Sequence, residues 1–451
     1  MAKFDFSNRD SFSSQIGIVA AAAGSAIGLG NIWRFPYVAG ENGGGAFLFI
    51  YIFFILAIGI PVMLSEFVIG RRSQRNPFGA FRLLKPGQPW YLVGLMGILA
   101  AFMILAFYST VAGWTLEYLM QAFRHGFDGK STDELAEMFG GFYTSGLKPV
   151  LWQLLFLLLT AWIIWRGVKE GIEKYTKILM PVLLVIIIII SIRSLTLPGA
   201  MAGIEFLFKP DFSKINTNVI LQALGQAFFS LSIGMGTLIT YGSYIKKKEN
   251  LSTTAFAVSA ADTFIAVLAG IAILPAVFAF GIDADAGPGL VFITLPNIFQ
   301  QMPGGFFWAV LFFILLAVAA LTSTVSILEV VVAYLTEELN FSRKISTIAA
   351  TFTVAILGIL CTLSQGPVES LKFLDKDLFD HINNITANFM LPLGGLFIVT
   401  FVGWFMDVRI VKAELSNEGK LKVKLFSLLI FLLRYLAPVA IILMLIFYRE
   451  A

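Results

Sequence analysis

The sequence predicts an all-α integral membrane protein of eleven spans, and three observations carry that prediction. Hydrophobic residues fill 58% of the 451 positions and charged residues 13%, whereas a soluble globular chain is about half apolar and a quarter charged. Long apolar runs recur at 46–64, 92–113, 150–165, 178–192, 305–321, 348–362, 390–405 and 425–447. Each approaches or exceeds the roughly 20 residues that cross about 30 Å of hydrocarbon as a helix. The third observation is a repeated anomaly. "AIGLG" at 26–30 and "SIGMG" at 232–236 put glycines in the middle of segments that otherwise read as spans.

In order, the expected helices cover 14–38, 45–70, 90–123, 149–165, 173–193, 218–245, 252–280, 305–338, 345–365, 380–406 and 425–448. The loops between them set orientation. "RRSQRNPFGAFRLLKPG" after the second helix carries five Lys or Arg and no acid, and "WRGVKEGIEK", "KKK", "SRK" and "KLKVK" are also basic. The alternate loops are mixed or acidic, as in "STDELAEM" and "GIDADAG". The positive-inside rule then places the N-terminus and the basic loops in the cytoplasm of a multi-pass plasma-membrane protein. An odd span count leaves the C-terminus outside. This topology accounts for the net charge of +4, so no nucleic-acid partner is called for. The first apolar run lacks a small-residue cleavage site, and no removable leader is expected. Cys361, the single cysteine, rules out an internal disulfide framework. His125 and His381 lie far apart and are not expected to bind metal.

The two anomalies organise the chain. Glycine and polar residues facing lipid leave backbone groups unsatisfied, so irregular backbone at membrane depth belongs against protein or a wet cavity. Glycine-interrupted spans at matching places in two halves mark the binding site of a secondary transporter. One break lies in the first span and the other in the sixth. That spacing implies two five-helix repeats, inverted because five is odd, plus one extra helix. The expected divisions are a cytoplasmic segment 1–13, a first repeat 14–193, an extracellular loop 194–217, a second repeat 218–406, and a cytoplasmic loop with the last helix over 407–451. Close packing of small residues also explains the glycines, but not Asn31 and Arg34. In a broken helix the exposed carbonyls coordinate cations and the half-helix N-termini attract anions.

At these residues the chain resembles the neurotransmitter:sodium symporter family. "AAAGSAIGLGNIWRFPYVAGENGGGAF" is similar to the family's first helix, "AFYSTVAGW" to its third, "GQAFFSLSIGMGTLITYGSY" to its sixth, "LTSTVSILE" to its eighth and "NFMLPLGGLF" to its tenth. The resemblance implies the LeuT-type fold and, with eleven spans, a bacterial subgroup that carries hydrophobic amino acids. It also implies two sodium sites. The first comprises the Ala26 carbonyl, Asn31, Ser230 and Asp262, completed by the substrate carboxylate. The second comprises the carbonyls of Gly24, Ile27 and Ala319 with the hydroxyls of Thr322 and Ser323. All-oxygen shells suit a hard cation, and the softer ligands His and Cys are absent. Many relatives have asparagine where this chain has Asp262, and chloride-dependent ones hold a chloride beside it. An intramembrane acid is functional by default, so Asp262 is expected to supply the charge that chloride supplies elsewhere.

The resemblance also outlines the substrate. Relatives that carry amines without a carboxylate place an aspartate at the position of Gly28, so glycine there implies an α-amino acid. Amides near Leu29 and Gly30, the Tyr108 hydroxyl and the first sodium are expected to hold its carboxylate. Carbonyls around Ala26, Phe229 and Ser232 are expected to hold its ammonium. The side chain meets Ile104, Phe229, Met235 and Ile327, with Ser232 and Ser323 at the edge. Met235 stands where a leucine-selective relative has an aromatic ring, and a flexible thioether adapts to varied shapes. The outer gate is expected to use Arg34, with Asp380 as its partner although Asn383 is the motif-matched position, and Tyr108 and Phe229 form a lid. Arg9, Phe12, Tyr244 and Glu337 match the inner gate. Glu66 resembles the acid that satisfies amides freed by the breaks. Gly171 and Pro181, at the start of the fifth helix, mark a segment able to unwind.

The expected function is therefore sodium-coupled import of aliphatic and aromatic L-amino acids by alternating access. No nucleophile, metal cluster or P-loop is present, since "ENGGGAF" lacks the lysine and hydroxyl of a phosphate loop, and no enzyme activity is expected. Two alternatives stay open at this level: coupling of the same fold to protons or another solute, and a non-transporting amino-acid sensor.

Overall fold

The computed structural model describes residues 10–281 and 289–447. Among these residues nine helices are long and apolar enough to cross a membrane: Gly45–Ser73, Tyr91–Phe123, Leu147–Trp165, Val168–Leu195, Leu251–Ala279, Gly305–Glu338, Arg343–Ser364, Leu378–Phe405 and Phe426–Phe447. A bent pair, Gln15–Ala26 and Gly30–Glu41, makes a tenth span with a 52° angle at its break. Helices Thr217–Ser230 and Thr237–Ser243 occupy the place of the sixth expected span. An irregular stretch, 231–236, separates them, and each half is too short to cross alone. In chain order we refer to these eleven elements as spans 1 to 11, with 1a, 1b, 6a and 6b for the halves of the broken pairs.

Burial sorts the spans. The apolar windows of spans 2 and 8 are 67% buried, whereas that of span 11 is only 22% buried at a hydropathy of 2.5. A helix apolar all round and largely uncovered is satisfied by lipid, so span 11 is peripheral. Span 1a packs against spans 5, 7 and 8, span 6b against span 2, and span 3 against spans 4, 8 and 9. The broken helices thus lie inside, where free backbone groups find protein partners. Outside the membrane-length helices, the chain forms shorter ones at Thr132–Tyr143, Ala200–Phe208 and Leu295–Gln301. A two-residue ribbon pairs Lys372–Phe373 with Lys376–Asp377.

Side chains stabilise both breaks. In span 1 the Gly28 amide donates to Asn31 Oδ1 at 3.1 Å and the Leu29 amide to the Tyr108 hydroxyl at 2.9 Å. In span 6 the Gly234 amide donates to Glu66 Oε1 at 2.7 Å. A buried amide left without a partner costs about 1–3 kcal/mol, so these acceptors hold the irregular backbone in place. Gly234 also has φ +87° and backs onto the Leu391 carbonyl, which a Cβ would approach to 2.3 Å. Only glycine fits there.

Candidate functional site

The two breaks face each other across a small cavity. Its lining is Ser25, Ala26, Gly28 and Gly30 from span 1, Ile104 and Tyr108 from span 3, Phe229, Ser232 and Met235 from span 6, and Ser323 and Ile327 from span 8. All the residues expected around the substrate are in that lining except Leu29, which is buried beside them and engages Tyr108 through its amide. The void is about 20 Å³. Ser232 adopts φ +54°, and its hydroxyl donates to the Ser25 carbonyl at 2.9 Å across the two breaks. A Cβ on Gly28 would lie 2.3 Å from Ser323 Oγ and 2.8 Å from Tyr108 Oη. A side chain at Gly28 would therefore displace the Ser323 and Tyr108 hydroxyls.

On one flank of the cavity, Asn31, Ser230 and Asp262 form a buried polar cluster. Asn31 Nδ2 donates to Asp262 Oδ1 at 2.8 Å and to Ser230 Oγ at 3.0 Å. Ser230 Oγ lies 2.8 Å and 3.0 Å from the two carboxylate oxygens of Asp262. Tyr51 on span 2 completes the cluster, its hydroxyl donating to Asp262 Oδ2 at 3.1 Å. Nothing in the local pattern of the first apolar run distinguishes Tyr51 from an ordinary core aromatic.

The other flank is a second set of oxygens, between spans 1 and 8. Thr322 Oγ1 donates to the Ala319 carbonyl at 3.0 Å and reaches the Ile27 carbonyl at 3.5 Å. Ser323 Oγ reaches the carbonyls of Gly24 and Ser25 at 3.4 and 3.3 Å. All five residues named for the second ion are thus neighbours. These oxygens face one another, a donor set whose chemistry suits a hard cation. Among the described residues there is no group of three His, Cys, Asp or Glu able to hold a transition metal.

Tyr108 and Phe229 separate this cavity from a larger one of about 640 Å³, which also contains Arg34, Asp380 and Asn383. Arg34 stacks its guanidinium 4.9 Å above the Phe229 ring, an arrangement worth about 0.5–2 kcal/mol. Asp380 lies in the first turn of span 10, where its amide donates to the capping Asp377 carboxylate at 2.8 Å. Among the described residues no ion pair joins Arg34 to Asp380.

The opposite end is closed. Phe12 packs edge-on against Tyr241 and Tyr244, with ring centres 5.6 and 6.0 Å away, and its amide donates to the Tyr244 carbonyl. Glu337 accepts from the Asn76 amide at 2.8 Å; Arg9 lies outside the described residues. Two further charged clusters lie at this end among the described residues, without any sequence motif to announce them. Glu329 is buried in span 8, paired with Arg343 at 2.6 Å and bonded by the Tyr244 hydroxyl at 2.7 Å. Glu173 accepts from the Ser13 amide at 2.7 Å and the Ser14 hydroxyl at 3.2 Å, and pairs with Lys177. Gly171 sits in a wide helical turn, Val168–Glu173, and a Cβ there would meet the Ile163 carbonyl at 2.2 Å. Pro181 lies inside the regular helix that follows.

Comparison with known proteins is consistent along the whole chain. The model of the sodium:neurotransmitter symporter family matches residues 9–137 and 134–449. An uncharacterised sodium-dependent transporter of Bacillus subtilis, YhdH, is 38% identical over 96% of each chain. Another from Haemophilus influenzae is 39% identical over 91% of this chain and 92% of its own. Among solved structures, that of MhsT in complex with L-phenylalanine superposes with a TM-score of 0.90 at 45% identity, covering 97% of this chain and 99% of that one. The protein is thus a multi-pass, sodium-dependent membrane transporter rather than an enzyme, and it belongs to the sodium:neurotransmitter symporter family.

Proposed function

We propose that the chain is a sodium-coupled symporter that imports aliphatic and aromatic L-amino acids by alternating access, without a need for chloride. The observation that carries this reading is the small cavity between the two helix breaks, apolar on one side and flanked by two oxygen clusters. Gly28 leaves the pocket without a fixed acid at its centre, so the ligand must bring its own carboxylate. Ile104, Met235 and Ile327 offer its side chain only apolar contact, and MhsT, the structural relative, was solved with L-phenylalanine.

In this reading one sodium sits among Asn31, Ser230, Asp262 and the Ala26 carbonyl, where the substrate carboxylate joins it. The second sits among Gly24, Ile27, Ala319, Thr322 and Ser323. Asp262 supplies the permanent negative charge at the first. Tyr108 releases the Leu29 amide to the incoming carboxylate. The larger cavity faces outside, Phe229 is its floor, and the Phe12, Glu173 and Glu329 contacts keep the cytoplasmic end shut. Opening inward requires those contacts to part and the segment between Gly171 and Pro181 to loosen, giving the second ion a way out. The two five-helix halves, 14–193 and 218–406, supply one broken helix each.

The test is equilibrium binding of labelled L-leucine to the purified protein, titrated with sodium at constant ionic strength against potassium. Saturable binding that needs sodium and is displaced by valine and tryptophan supports the reading. Equal binding in potassium would overturn the coupling, and displacement by amines lacking a carboxylate would overturn the assigned substrate class.

A further inference from the structure

A second cavity, far from the substrate path, opens on the outer surface between spans 4 and 9. It is a trough of about 870 Å³ whose walls include Leu158, Ala161, Phe352 and Ala355. Leu158 and Phe352 are 63% and 65% exposed, so the trough faces the surrounding bilayer.

Its three levels differ in chemistry. At one end Arg166, a wall residue that also donates to the Tyr175 hydroxyl at 3.2 Å, is 4.1 Å from the Trp162 ring centre, and Lys344, just outside the lining, is 5.6 Å from the ring centre of the wall residue Trp165. Neither cation forms an ion pair among the described residues, and no carboxylate lines the trough. Deeper down, the Thr351 hydroxyl is buried with no hydrogen-bond partner. It lies about 10 Å along span 9 from Lys344, at the helical rise of 1.5 Å per residue. Beyond it the walls are apolar.

We propose that this trough is a binding site for one anionic glycerophospholipid. The phosphate lies between Arg166 and Lys344, whose long stems let the charges reach the headgroup level. An ester carbonyl accepts from Thr351, and an acyl chain fills the trough. A zwitterionic headgroup would bring its own cation to a place that already holds two, so the site selects for net negative charge.

Native mass spectrometry of the full-length protein, in micelles containing equimolar dioleoyl phosphatidylglycerol and dioleoyl phosphatidylcholine, tests this. One retained phosphatidylglycerol in several-fold excess over phosphatidylcholine is expected. The double variant Arg166→Gln with Lys344→Gln should lower that adduct at least fivefold and leave the phosphatidylcholine signal unchanged. Ala161→Trp, which fills the trough, should remove both, with a thermal melt confirming that each variant is folded. Equal retention of the two lipids would overturn the proposal. So would a preference that survives the double variant, or a dimer of the chain in place of the lipid adduct.

Discussion

Replacing Asp262 by asparagine isolates the charge at the centre of the account. The substituted amide would keep an oxygen for Asn31 Nδ2, which now donates to the carboxylate at 2.8 Å. Its new amide hydrogens would face the Ser230 and Tyr51 hydroxyls, which rotate to accept. The hydrogen-bond network therefore survives, and what disappears is one negative charge. A hard cation lies roughly 2.5 Å from an oxygen ligand, as calcium does, and Ser230 Oγ is 2.8 Å from the Asp262 carboxylate. An ion on that hydroxyl then sits within about 5 Å of the charge. At an effective dielectric of about 20 the attraction is about 3 kcal/mol, which corresponds to roughly two orders of magnitude in sodium affinity. The assay is sodium-dependent leucine binding in chloride and in gluconate. The native protein should be indifferent to the anion. The variant should need about a hundredfold more sodium in gluconate and recover part of the loss in chloride. Unchanged sodium affinity in the variant would refute the electrostatic argument. Loss of binding by the native protein in gluconate would refute the claim that Asp262 replaces chloride.

Three other perturbations follow from contacts in the site. Gly28→Ala forces a Cβ against Ser323 Oγ at 2.3 Å; overpacking of this kind costs about 1–3 kcal/mol, so leucine affinity should fall roughly 5- to 150-fold in a binding titration. Met235→Phe replaces a compliant cavity wall with a rigid ring. Tryptophan should then compete about tenfold less well against labelled leucine while leucine itself stays within about threefold. Glu173→Gln weakens the charge-assisted bonds from Ser13 and Ser14, each worth about 1.5–3 kcal/mol. Spin labels on the N-terminal segment and span 5 should report a new, longer distance, and a distribution identical to the native one would rule out Glu173 as a latch.

Much of this architecture was legible because lipid imposes simple rules. Long apolar runs marked eight of the eleven expected spans, and polar interruptions inside otherwise apolar segments marked the two breaks. Asn31 could be named from the break itself, whereas Gly28 and Ser232 are named through the family resemblance of the segments that hold them. Residues that reach the site from intact helices, such as Tyr108, Asp262 and Thr322, are named only through the family resemblance. Tyr51 looks like an ordinary core aromatic until folding aims it at Asp262, and Ser25, one residue before the end of span 1a, looks like a helix-packing residue until it lines the cavity. The closed end was hardest, because Glu329, Arg343 and Glu173 meet partners through tertiary packing and no spacing in the chain encodes those meetings. Gly171 illustrates a second limit. Its proximity to Pro181 reads as a site of weakness, whereas the structure also gives it a packing reason, the Ile163 carbonyl that a side chain would strike.

Transport itself is the most direct test. Purified protein should be reconstituted into liposomes and given labelled leucine and tryptophan under an inward sodium gradient, with an equimolar potassium gradient as control. The account predicts concentrative uptake of both amino acids in sodium, collapse of that uptake when the gradient is dissipated, and no accumulation in potassium. Sodium-stimulated binding without accumulation would contradict it and identify the protein as a sensor, and equal uptake in potassium would contradict the assignment of both ion sites.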